Sequence, residues 1–204
     1  MDGAALAVFA VGTTCNAVKA VPQFVRTAVR GRVAGLSGAA VWLAVTANVL
    51  WLCFGIAIGD RAFVALGLVT TALTAGTAAR FVRVTGLAAS ARPAGLALTA
   101  CVACALLAAT GSGLVLELLG AGLGVVVGLP QLLHLWRRRA TTTDVTGVAQ
   151  GEHVVVVVGQ AAWTTYWLLR GHPVAAAGAL WGGAARAVTL WLLRRQVARA
   201  RLAA

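Results

Sequence analysis

Apolar residues fall in seven long blocks along this chain, separated by short polar stretches. The blocks lie at about 4–25, 36–58, 62–82, 94–110, 114–135, 148–169 and 173–193. A membrane-spanning helix needs roughly 20 mainly apolar residues. Each block therefore predicts one span, and the fourth is the shortest. The first opens on Asp2 rather than on a basic region, and it is longer than the apolar core of a signal peptide. It predicts a retained span.

Composition then excludes the soluble alternative. The chain is 60% hydrophobic and 11% charged, with a mean hydropathy of +0.89. A soluble domain of 204 residues has no interior large enough for that apolar surface. The expectation is an all-α integral membrane protein. The net charge of +12 would suggest nucleic acid in a soluble protein. Here the charge sits between apolar blocks, which is a signature of topology, so no nucleic-acid partner is expected.

The arginines set the orientation. Arg26, Arg30 and Arg32 follow the first block. Arg80, Arg83 and Arg92 lie between the third and fourth. Arg137, Arg138 and Arg139 follow the fifth, and Arg194, Arg195, Arg199 and Arg201 follow the seventh. With an odd number of spans, all of these fall on one side, and only Arg61 and Arg170 fall on the other. The positive-inside rule puts the N-terminus outside and the C-terminus in the cytoplasm. Arg-rich, Lys-poor usage suggests a GC-rich bacterium, and hence the plasma membrane.

Two Pro-Gln pairs, Pro22-Gln23 and Pro130-Gln131, stand 108 residues apart, each near the end of an apolar block. Proline within a helix removes a backbone donor and crowds the preceding turn. In lipid this is tolerated only where neighbouring helices or a cavity satisfy the freed carbonyl. The same defect at the same depth in two halves reads as a paired hinge. Gln23 and Gln131 are candidates for bonding the freed carbonyls. After each pair come a basic loop with a Gly35-Leu36 or Gly147-Val148 step, a span with an amide and a tryptophan, a tight turn and a further span. The two motifs, Asn48-x-x-Trp51-x-x-Phe54 and Gln160-x-x-Trp163-x-x-Tyr166, keep one spacing. Their offset is 112, so the second basic loop carries four extra residues.

This arrangement resembles the PQ-loop superfamily, and within it the SWEET-type sugar transporters. The resemblance covers nearly the whole chain. It implies two parallel three-helix bundles joined by an inverting linker helix: a first repeat at 1–85, a linker with the fourth span at 86–112, and a second repeat with a short tail at 113–204. The family's sugar transporters usually carry a pocket-facing Asn in the third span of each repeat. Here those regions read Gly67-Leu-Val-Thr70-Thr71 and Gly178-Ala-Leu-Trp181-Gly182-Gly183. Thr70 and Thr71 are taken as substrate-binding in place of the first Asn. The early prolines of the second and sixth spans are missing, and Pro93 and Pro173 open the fourth and seventh spans instead.

The candidate pocket joins Trp51 and Trp163 to Asn48, Gln160 and Asn16. A tryptophan near mid-membrane offers a flat apolar face to a sugar ring, with an N–H that needs a partner. Amides buried in lipid point into the bundle, and Asn48 shares a helix face with Trp51, as Gln160 does with Trp163. Lys19 and Arg186 lie within spans, about two turns from the cytoplasmic end. They either snorkel or line an inner vestibule. Gly120, Gly124 and Gly128 form a small-residue stripe, with Gly12, Asn16 and Ala20 at the matching places of the first span. That stripe is expected to bring the two Pro-Gln helices together.

No metal site, cofactor or disulfide is expected. Cys101-x-x-Cys104 sits inside a span, and Cys15 and Cys53 are likewise intramembrane. Glu152-His153 lacks the second histidine of a zinc helix, and no nucleophile–base set is visible, so an enzyme is not expected. A retinal pigment is set aside because Lys19 is the only lysine. Asp60, Asp144 and Glu152 lie in or beside loops, and Glu117 lies near the outer end of the fifth span. With no carboxylate deep in the bundle, the sequence favours facilitated diffusion of a small polar solute, most simply a sugar, by alternating access. A receptor or scaffold, or a transporter of amino acids or another metabolite, is the alternative. A monomer suffices for a complete pathway, and a homo-oligomer is equally compatible.

Overall fold

The computed structural model describes residues 3–30, 38–137 and 150–203. Seven α-helices form among the described residues: α1 (Gly3–Phe24), α2 (Gly38–Ala57), α3 (Arg61–Thr85), α4 (Leu87–Ala109), α5 (Gly113–Arg137), α6 (Gln150–Leu169) and α7 (Pro173–Ala203). They coincide with the seven apolar blocks. Asp2, Arg32, Arg138, Arg139, Asp144 and the Gly35-Leu36 and Gly147-Val148 steps lie outside the described residues. So do the side chains of Pro22, Gln23, Pro130 and Gln131, whose backbone is helical.

The chain is an all-helical membrane protein. Among the described residues, Gly3–Val21, Arg61–Thr85 and Ser90–Ala109 are long and apolar enough to span, and Val41–Ala57, Gly113–Gly124 and His153–Leu169 are shorter apolar helices. Leu96, Leu98, Leu106, Leu114 and Leu180 all turn outward. An exterior of that kind suits hydrocarbon, because each helix satisfies its own backbone polar groups. Two helices outrun their apolar blocks. α4 starts at Leu87, so Pro93 stands inside it rather than at its start, and α7 continues past Leu193 to Ala203.

The fold groups into two compact units, each drawing on both halves of the chain. One combines 1–16 with 121–204, and the other is 17–120. Their boundaries therefore cut α1 at Asn16 and α5 at Gly120. In the unit 17–120, α2 packs along α3 and α4. Val41, Val45, Ala78 and Phe81 form its core, with Trp42 and Val49 against them. Thr46 Oγ1 donates to Trp42 O at 3.1 Å. In the other unit α6 lies along α7, and α5 meets α7 through small residues: a methyl added at Gly178 would come 2.6 Å from Ala121 Cα.

Both repeats use the same tight turn. Gly59 and Gly171 adopt φ of 69° and 75°, a left-handed conformation that favours glycine. The following amides reach back five residues, Asp60 N–H to Gly55 O at 3.0 Å and His172 N–H to Trp167 O at 2.8 Å, which closes each helix in a Schellman motif. Asp60 then caps α3 by accepting from Phe63 N–H at 3.1 Å, whereas Pro173 opens α7 at the position where a missing N–H costs nothing.

The two Pro-Gln helices end differently. After Pro22, α1 widens into a π turn, Val25–Val29, in which Arg30 N–H donates to Val25 O at 3.0 Å. Wider turns of this kind accompany disturbed i→i−4 ladders. After Pro130, α5 runs on as α-helix to Arg137.

Close α5–α7 packing should be sensitive to one methyl group. Gly178→Ala drives a Cβ against backbone, whereas Gly122→Ala adds a Cβ with nothing within 4 Å. Thermal unfolding in detergent should show Gly178→Ala destabilised by about 1–3 kcal/mol, the scale of overpacking, with Gly122→Ala unchanged or slightly stabilised. Equal midpoints for the two variants would contradict this packing.

Candidate functional site

The duplicated amide-x-x-Trp motif sits on α2 and α6, and each tryptophan is seated on a glycine. A Cβ at Gly120 would lie 2.9 Å from Trp51 Cζ2 and 3.0 Å from Leu50 Cδ2. A Cβ at Gly12 would lie 2.8 Å from Trp163 Cε2 and 3.1 Å from its Nε1. Only hydrogen-bearing backbone fits beneath these rings. Gly12 and Gly120 are equivalent, each ten residues before a Pro-Gln pair. The relation is reciprocal: the tryptophan of each repeat rests on the Pro-Gln helix of the other. Each pairing falls inside one compact unit.

The two rings differ in their surroundings. Trp163 is only 6% exposed. Phe9 and Tyr166 meet it edge-on at 5.7 and 5.5 Å, and Trp167 stacks on it at 6.1 Å with an interplanar angle of 28°. Contacts of this geometry add to the burial of apolar area. Trp51 is half-buried, held edge-on by Phe54 at 5.7 Å and Phe63 at 6.2 Å. Of the two rings, Trp51 is the more exposed.

The amides are also placed. Asn48 donates through Nδ2 to Ala44 O at 2.8 Å, which engages one N–H and leaves its carbonyl and second N–H. Gln160 lies over the Gly182-Gly183 step of α7, where an added Cβ would meet its Cδ at 3.6 Å and its Cβ at 3.1 Å, respectively. Asn16 is half-buried on α1. On α3, Thr70, Thr74 and Thr77 each donate to a carbonyl four residues back in their own helix. Thr71 does not: its Oγ1 is buried and has no hydrogen-bond partner among the described residues. The same is true of Thr13 Oγ1, next to Gly12. A buried hydroxyl without a partner is costly, so each of these two has capacity left for a ligand or a water. Sequence reasoning missed Thr13. Its signal was adjacency to a glycine beneath an indole, which no spacing along the chain reveals.

Other expectations resolve as follows. The glycine stripe of α5 makes its described contacts with α2 and α7. Gly120 receives Trp51, and an added Cβ at Gly124 would lie 3.4 Å from Gly178 O. At these two glycines the stripe receives a ring and a backbone crossing. Lys19 is exposed and Arg186 half-buried, while Glu117 is 5% exposed.

The fold is similar to that of a solved eukaryotic SWEET transporter, with a TM-score of 0.76 over 97% of this chain and 100% of that one, at 12% sequence identity. No protein-family model matches the sequence, and no curated protein matches it. Seven helices in this arrangement are the SWEET, PQ-loop type of fold that the two Pro-Gln repeats implied.

The Trp–Gly seat can be tested by a double-mutant cycle. Gly12→Ala should lower stability by about 1–3 kcal/mol. Trp163→Phe, which removes the atoms nearest the new methyl, should recover part of that loss, with a coupling of about 0.5–3 kcal/mol. Strict additivity in chemical denaturation of the purified protein would mean that the indole does not rest on Gly12.

Proposed function

We propose that this chain is a membrane transporter that carries a small polar solute, in the first instance a sugar, by facilitated diffusion with alternating access. The observation that carries the reading is the duplicated amide-x-x-Trp motif, set in a SWEET-type fold over the whole chain. Solute binds to Trp51 and Asn48 from one repeat and to Trp163 and Gln160 from the other, with Asn16, Thr70 and Thr71 completing the set. Trp51 is the more exposed of the two rings, and Thr71 Oγ1 has no hydrogen-bond partner among the described residues. Trp163 contributes chiefly by holding α6 on α1. Pro22-Gln23 and Pro130-Gln131 are the hinges, and the π turn behind Pro22 supports a pliable helix end there. The arginine distribution supports a plasma-membrane protein with its N-terminus outside. One chain contains a full pathway, and nothing in the reading requires an enzyme active site.

Counterflow of labelled sugars and amino acids into liposomes, with and without a pH gradient, tests the proposal. Wild type should show saturable flux of one solute class, unaffected by the gradient. Trp51→Ala should abolish it without loss of folding. Thr71→Val keeps the shape and removes the hydroxyl, and it should weaken apparent affinity about three- to ten-fold, the scale of one hydrogen bond. Flux of amino acids alone would reassign the solute. Folded protein that moves neither class and co-purifies with a stable partner would favour a receptor or scaffold.

A further inference from the structure

A second site lies on the arginine-rich side of the unit 17–120, away from the tryptophan–glycine seats. A cavity of about 420 Å3 opens between α2, α3 and α4, walled by Trp42, Val82, Arg83, Ser90 and small alanines. This is within the range of roughly 300–1,000 Å3 typical of ligand pockets. Three polar groups at this end are left over. Among the described residues, Ser90, only 1% exposed, has no partner for its Oγ, and Trp42 Nε1 and Arg80 Nε are buried with none; Arg80 stands three residues before Arg83 on α3. Side chains three apart share a helix face. The N-terminus of α4 adds its own positive potential, because its cap, Gly86, supplies no side-chain bond to the free N–H groups.

Within the unit 17–120 this charge has no counterpart at its own end. From Ala17 to Gly120 the only carboxylates are Asp60 and Glu117. Asp60 caps the far end of α3, roughly 35 Å from Arg83 at 1.5 Å per residue. Glu117 follows the α4–α5 turn at that same far end. The helices framing the cavity contain no acidic residue. Arg80, Arg83 and Arg92 therefore meet no carboxylate of this unit at their own end.

We propose that this cavity binds an anionic glycerophospholipid of the arginine-side leaflet. Its phosphate lies on the exposed Arg83 at the edge of the cavity, with Arg80 adding charge behind it, and the Ser90 hydroxyl and Trp42 Nε1–H, both buried in the wall, turn to donate to it. Arginine suits a phosphate because its planar fork donates two parallel bonds. Basic pockets between spanning helices are a recurrent form of anionic-lipid recognition. The upper acyl chain lies along Ala79, Val82, Ala91 and Ala94, the apolar part of the lining. A free anion would leave that wall uncovered, whereas a lipid satisfies both parts of the cavity. The site depends on the membrane fold and not on what the chain transports.

Native mass spectrometry of the delipidated full chain, titrated with phosphatidylglycerol or phosphatidylcholine, reads the site directly. Phosphatidylglycerol should bind in preference. Arg83→Gln and Ser90→Ala should each weaken it about ten-fold, the scale of a charge-assisted bond, while Arg61→Gln at the opposite end should not. In vesicles, lipids brominated on the acyl chain near the headgroup should quench the part of the emission that Trp42→Phe removes, and phosphatidylglycerol should do so more than phosphatidylcholine. This second readout needs no variant of the arginines. Equal binding and equal quenching by the two lipids would overturn the proposal, leaving only ordinary annular lipid. Displacement of phosphatidylglycerol by inorganic phosphate at equal concentration would overturn the lipid as occupant.

Discussion

The architecture depends on an indole ring set against a helix where a glycine leaves no side chain in its way. Both Trp51 on Gly120 and Trp163 on Gly12 make this contact, and both would be broken by one methyl group. In hydrocarbon there is no hydrophobic drive between helices, so close packing and polar pairing must hold them. A large rigid ring on bare backbone gives many dispersion contacts at little entropic cost. Because each ring belongs to one repeat and each glycine to the other, neither Pro-Gln helix packs wholly within its own repeat. The compact units accordingly change helices partway along α1 and α5.

Around these seats the chemistry is uneven between the halves. Trp163 is enclosed by Phe9, Tyr166 and Trp167, and Gln160 lies over two glycines. Trp51 is half-buried, with Asn48 beside it tied once to its own helix. The second half thus has the more enclosed ring, and the first carries a buried Thr71 hydroxyl with no partner among the described residues. This contrast makes the two halves chemically unequal. It also fits a chain in which a third-span Asn is replaced by threonines on one side and by glycines on the other.

Much of this was legible in the sequence. Seven apolar blocks gave seven helices, because hydrocarbon leaves the backbone no other way to satisfy itself. Turn glycines Gly59 and Gly171 stood where a left-handed residue was needed. The doubled motif pointed to the correct fold type. Helix ends were less legible. Past Leu193 the chain stops being apolar but keeps good helix formers, so α7 continues to Ala203. Partnerships across the bundle were the least legible. Amide-x-x-Trp spacing tells which face of a helix two side chains share, but not which surface that face meets. A glycine's contribution is an absence, and it becomes visible only when the ring above it is seen. For that reason spacing alone did not show that Trp163 rests on Gly12, or that Gly120 and Gly124 of α5 meet Trp51 and α7.

The seat of Trp163 on Gly12 also bears on how the protein is made. These two residues lie 151 positions apart in the chain, so α1 leaves the ribosome well before its partner α6. Until α6 arrives, the small-residue face around Gly12 has only lipid against it. A single apolar helix can wait in that state, because its backbone is already satisfied. Assembly of this unit therefore waits on the closing of a long loop, and α1 is inserted before the contact that seats it on α6 can form.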